Sequence, residues 1–85
     1  MKNYIFAKDI LEPKHVGRLI HVKEVFYSTS GKVSAKEYEN CIITSYYKGL
    51  MLKCCIFLSN NEYLIYDLDS HNIHLYVCFP EIIDD

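Results

Sequence analysis

GRLIHVKEVF (17–26), YENCIITSYY (38–47), LMLKCCIFL (50–58), EYLIYDL (62–68) and NIHLYVCF (72–79) are the stretches that decide the fold. Apolar and β-branched residues dominate each of them, and each is short enough to be one strand. Between them stand Ser28-Thr29-Ser30-Gly31, Lys48-Gly49, Ser59-Asn60-Asn61 and Asp69-Ser70-His71-Asn72, rich in the residues that turns require. Strands at this spacing predict a mainly β chain: a small antiparallel barrel of about five strands, closed or nearly closed, with its core over residues 16–79.

The central hairpin gives the faces. If Lys48-Gly49 is a two-residue turn, with Gly49 supplying a positive φ, Tyr47 pairs with Leu50, Ser45 with Leu52 and Ile43 with Cys54. Cys41 and Ile56 share that face, which is apolar and reads as core. Tyr46, Thr44 and Ile42 opposite Met51, Lys53 and Cys55 form the other face, a tyrosine-edged surface. A one-residue slip would exchange the two faces. Asn60-Asn61 makes the next tight turn, and Pro80 ends the last strand.

Outside the strands, residues 1–11 fit either a short helical turn or an edge strand, and Pro13 ends whichever forms. A short acidic tail occupies 80–85. Eighty-five residues make a single domain, 1–85, without internal repeat or linker. A strand led by Val16-Gly17-Arg18-Leu19-Ile20-His21-Val22, a long polar loop, a bent hairpin over 42–58 and two short strands together resemble small SH3-like or Sm-like barrels in outline. The resemblance implies a fold and no binding residues. The acidic-aromatic ligand motif of signalling SH3 domains is absent, as are the RNA-contacting motifs of Sm proteins.

An apolar fraction of 51% is ample for a core. No apolar run is long enough to span a bilayer, Lys53 interrupts the longest, and residues 1–14 lack a secretory cleavage site. A cytoplasmic location, in the producing or a host cell, is therefore expected. Nine basic against eleven acidic residues disfavour a nucleic-acid partner, since phosphate neutralisation supplies most non-specific affinity. Lys over Arg, with abundant Ile and Tyr, reflects AT-rich codons, a composition frequent in phages and mobile elements.

Cys41, Cys54, Cys55 and Cys78 read as reduced thiols acting as small hydrophobes. No Cys-x-x-Cys pair exists, and Cys54 and Cys55 project to opposite faces of one strand. Asp67, Asp69, His71 and His74 are the one constellation with metal-ligand chemistry, since carboxylates and imidazoles suit zinc, manganese or iron. A polar strand end and turn accounts for the same residues more simply, so no metal or other cofactor is assigned. A cysteine nucleophile needs an exposed, activated thiol, and these thiols lie in apolar strands. No phosphate-cradling glycine loop or nucleophile elbow is present, so no catalytic residue is assigned and no enzymatic activity is expected.

Eight tyrosines exceed what one small core can satisfy, and tyrosine is enriched at interfaces. The expected function is a non-enzymatic protein-binding module, placed by its composition as a phage or mobile-element accessory protein inhibiting a host or defence protein by occlusion. Tyr46, Met51, Lys53, Tyr66 and Tyr76 are the binding candidates, with a protein partner or a second copy in a homodimer. The alternative is a nucleic-acid-associated small barrel using Lys23, Lys32, Lys36, Lys48 and Lys53 beside tyrosines.

Overall fold

The computed structural model describes residues 3–50 and 53–80. In chain order these form β1 (Ile5–Phe6), the short helix α1 (Ala7–Ile10), a 3₁₀ turn at Pro13–His15, β2 (Leu19–Tyr27), β3 (Val33–Lys48), β4 (Lys53–Ser59), β5 (Glu62–Asp67) and β6 (Ile73–Cys78). The strands make one antiparallel sheet in the order β1-β6-β2-β3-β4-β5. The N-terminal segment is thus both an edge strand and a helical turn.

The sheet is not closed, and the SH3-like or Sm-like barrel expected from the sequence is overturned. Its edges are β1 and β5, and among the described residues no ladder joins them. Turn spacing fixes which strands form hairpins, but closure depends on where the last strand goes. Residues 68–72 do not return the chain alongside β5. They carry it to the far side of β2, where Val22 pairs with Val77 and Glu24 with Leu75. Side chains bridge the remaining opening. Ala7 and Leu11, within and just after α1, are buried in the core. Lys8 Nζ lies 3.0 Å from Asp69 Oδ1, and Lys53 Nζ donates to the Lys8 carbonyl at 3.2 Å. Lys8 holds the Asp69 carboxyl below its usual range, so this contribution is present above that range and is lost as pH falls through it.

A second link crosses the curled interior. The Tyr66 hydroxyl on β5 donates to Glu24 Oε2 on β2 at 2.7 Å, although β3 and β4 stand between those strands in the sheet. Burial, reinforced by the bond to Glu24, pushes the Tyr66 phenol far above its ordinary pKa. Phe57, Ile20, Ile43, Val22, Val77, Cys41 and Cys55 are fully buried on the same inner face. Tyr38, Tyr46, Leu64, Ile73 and Phe79 pack around them.

Two breaks in the β3 register decide which residues face inward. Between the pairs Ile20–Cys41 and Val22–Tyr38, β3 holds one residue more than β2. Asn40 takes φ 57° there, and its N–H donates to His21 Nδ1 at 3.2 Å. Asparagine tolerates this left-handed conformation, which makes it suited to a bulge. The second break lies between Ile43–Phe57 and Ser45–Ile56, where Thr44 is the extra residue and its hydroxyl donates to the Ile56 carbonyl at 3.1 Å.

The hairpin faces are corrected accordingly. Lys48 pairs with Lys53 rather than turning at Lys48-Gly49, and Gly49 does not have a positive φ. Cys41 and Ile43 do face the core, but Ile56 faces outward, while Cys55 is buried and Tyr46 packs on the core. Leu52, assigned to the core by the regular register, lies outside the described residues. The extra residue at Thr44 reverses the alternation that the sequence reading carried through unbroken. The Asn60-Asn61 turn is present, with φ of 49° and 65° and Ser59 opposite Glu62.

Three outcomes test this packing. Phe57→Ala should cost about 3–5 kcal/mol in urea unfolding, enough to leave a small domain marginal or unfolded. Tyr66→Phe should cost about 1.5–3 kcal/mol with an unchanged far-UV spectrum, because it removes a charge-assisted hydrogen bond without altering shape. Burial raises the Cys41 thiol pKa and pushes that of Cys55 up to about 12, whereas Cys54 and Cys78 are half-buried on the outer side. A thiol reagent under native conditions should modify Cys54 and Cys78 first, with Cys41 and Cys55 reacting only as the protein unfolds.

Candidate interaction surface

The outward side chains of β3, β4 and β5 stand in register. One row runs Ile42–Leu58–Tyr63 and continues onto β2 through Leu19, a second runs Ser45–Ile56–Ile65, and a third Tyr47–Cys54–Asp67. Asp67 is the one charged residue among them. Ile42 is 41% exposed, Tyr47 60%, Tyr63 66% and Ile65 69%. Isolated exposed apolar side chains are ordinary, but a contiguous set of this kind is not.

The Thr44 bulge builds this surface. In an unbroken strand Ile42 and Tyr47 would point to opposite faces, as residues an odd number of positions apart must. The extra residue brings both to the outside. The Asn60-Asn61 turn then sets β5 so that Tyr63 and Ile65 continue the rows while Leu64 and Tyr66 turn inward.

The other half of the outer face is treated differently, because the N-terminal residues lie over it. The Tyr4 hydroxyl donates to Glu37 Oε1 at 2.9 Å, and Lys23 Nζ stands 5.9 Å from the Tyr4 ring centre. Desolvation, followed by the Glu37 hydrogen bond, pushes the Tyr4 phenol up to about 12. Phe6 packs beside Tyr76 and His74, with ring centres 5.5 and 5.6 Å apart, and Tyr27 meets His74 in a tilted contact at 4.9 Å. Covered on one half and bare on the other, the outer face has two distinct surfaces among the described residues.

The binding residues expected from the sequence are not gathered into one patch. Tyr46 is half-buried against the core, and Tyr66 is buried with its hydroxyl on Glu24. Lys53 is half-buried and engaged with the Lys8 carbonyl. Tyr76 belongs to the covered half, beside Phe6, and Met51 lies outside the described residues. Ile42, Tyr47, Leu58, Tyr63 and Ile65 are the residues the sequence reading missed. Tyr63 and Ile65 alternate with the equally apolar Leu64 and Tyr66, so no polarity contrast identified the exposed side.

The lysines of the alternative reading are also divided. Lys23 lies by Tyr4 on the outer face, Lys36 stands 5.0 Å from the Tyr38 ring centre, and Lys53 serves the α1 contact. Lys32 and Lys48 are exposed at separate loop ends. The candidate metal ligands perform local work. Asp67 Oδ1 accepts the Asp69 N–H at 2.9 Å, Asp69 pairs with Lys8, His71 is exposed in the turn, and His74 packs at a tilt against Phe6 and Tyr27. Among the described residues no group of three or more His, Cys, Asp or Glu side chains is placed to hold a metal ion. No helix among them is long and apolar enough to cross a membrane.

Comparisons with protein-family models, curated proteins and solved structures find no match to this chain. The open sheet removes the SH3-like barrel expected from the sequence, and nothing found supports a phage or inhibitory role.

Proposed function

We propose that the chain is a non-enzymatic protein-binding module that presents the outer face of β3–β4–β5 to a protein partner. The observation that carries this reading is the alignment of Ile42, Tyr47, Tyr63 and Ile65, all exposed, over the half of the sheet that the N-terminal segment leaves bare. Tyrosine and isoleucine on a hydrogen-bonded sheet offer contact area at small entropic cost, because the backbone beneath them is already ordered. Such a face needs no cofactor and no titrating group. It acts by shape and by exclusion of water.

The test is the double substitution Ile42→Ser and Tyr47→Ser, which removes two anchors and leaves the β5 edge intact. Partners captured with the wild-type chain are identified, and their affinities are then measured by calorimetry. The double variant should melt within a few degrees of wild type, because neither side chain belongs to the core. Its affinity should fall by at least about tenfold. Wild-type binding should change little with added salt, whereas a steep loss would indicate phosphate contacts and favour a nucleic-acid partner. Unchanged affinity in the double variant would remove this face from consideration.

A further inference from the structure

We infer that β5 is a strand-addition edge and that its occupant is β5 of a second copy of this chain, joined about a two-fold axis at Ile65. The inference rests on the proposed binding face, which such a dimer would double into one continuous surface.

The backbone geometry comes first. The Leu68 N–H donates to the Lys53 carbonyl at 2.7 Å, in the same register that pairs Cys54 with Asp67 and Ser59 with Glu62. Antiparallel ladders alternate bonded and non-bonded pairs. Glu62, Leu64 and Tyr66 therefore direct their N–H and C=O groups toward β4. Tyr63, Ile65 and Asp67 direct theirs to the open side, where the sheet has no further strand among the described residues.

The two edges of the sheet are handled differently. β1 is two residues long and the chain leaves it at once through α1, which is one of the ways proteins blunt an edge. β5 lacks several of the usual protections, its charged residues Glu62 and Asp67 standing only at its two ends. It pairs with β4 in an unbroken register, and Glu-Tyr-Leu-Ile-Tyr-Asp contains no proline, lysine or bulge.

The edge also matches itself. With the axis at Ile65, inward residues stay inward, and the outward-directed N–H groups of Tyr63, Ile65 and Asp67 and the carbonyls of Tyr63 and Ile65 find partners. The Asp67 carbonyl, which accepts the Ser70 N–H at 3.2 Å, has one lone pair left for the partner's Tyr63. Ile65 stands against the partner's Ile65, and the Tyr63 phenol against the partner's Asp67 carboxylate. Shifting the register by one residue toward Glu62 would set Glu62 against the partner's Asp67 at both ends. It would also place core residues opposite exposed ones. Of the registers that keep inward residues inward, only this one pairs Tyr63, Ile65 and Asp67 entirely with one another, in an isologous contact of the kind expected of a symmetric dimer. The seam is short, so the dimer is a concentration-dependent one.

Amide hydrogen exchange on the full chain, at low and high protein concentration, reads the seam directly. The amides of Tyr63, Ile65 and Asp67 should gain at least about tenfold protection as concentration rises, while those of Leu64 and Tyr66 should change little. Sedimentation equilibrium should show a reversible monomer–dimer equilibrium. Ile65→Pro, which removes an outward N–H unused within the monomer, should weaken it by at least about tenfold. Ile65→Ser, which keeps that N–H, should weaken it less. The Ile42→Ser/Tyr47→Ser variant should still dimerise. A chain that stays monomeric at every concentration, or gains no alternating protection, would overturn the inference. Loss of the dimer in the Ile42→Ser/Tyr47→Ser variant but not in Ile65→Pro would also overturn it, while sparing the proposed binding face.

Discussion

β3 is paired to β2 over its first part and to β4 over its last, so a change of phase within it is felt on both sides. Its extra residues at Asn40 and Thr44 shift that phase twice. The first keeps Tyr38 and Cys41 on one face, and the second keeps Ile43 and Tyr46 there. Cys55 and Phe57 on β4 and Tyr66 on β5 take their inward positions from this alignment. The exposed rows on the opposite side follow from it as well. Moving Thr44 into regular register would therefore disturb core and surface together.

An open sheet of this curvature must still shield its inner face. The work is divided among unlike interactions. Ala7 and Leu11 contribute apolar burial, Lys8 with Asp69 and Lys53 contributes polar contacts at the rim, and Tyr66 reaches Glu24 through the interior. The rim ion pair is solvent-exposed and modest in strength. The Tyr66–Glu24 bond is more sheltered, and losing either partner leaves a polar group without its counterpart. Hydrogen-bonded closure would have spread the same task over a whole ladder. Here a few side chains carry it.

The apolar strand segments were legible in the sequence because each is a short run between turn residues, but the start of β3 at Val33 was not, because Ser34 and Lys36 read as part of the polar loop. Asn60-Asn61 was legible for a specific reason, since two residues tolerant of positive φ fit a two-residue hairpin. A single inserted residue leaves no comparable mark, and threonine at position 44 is as good a strand residue as any. The regular alternation therefore carried Tyr47 and Ile56 to the wrong face. Closure was illegible for another reason. It turns on the path of residues 68–72, whose Asp, Ser and Asn suit a tight return and a crossover equally. The exposed face was partly hidden because both sides of β5 are apolar, and composition cannot say which side is covered.

The position of β6 between β1 and β2 bears on how the chain reaches its native state. β2, β3, β4 and β5 form a meander in which every strand pairs with its sequence neighbour, so their contacts close short loops. β6 joins only by returning to the start of that meander, setting Val77 beside Val22. Non-local pairings of this kind dominate the kinetic barrier in β-rich domains. Until β6 arrives, β2 is itself an unpaired border and the interior beside it lacks Leu75 and Val77. The time needed to recruit the last strand is then the interval in which a newly made chain is most open to aggregation.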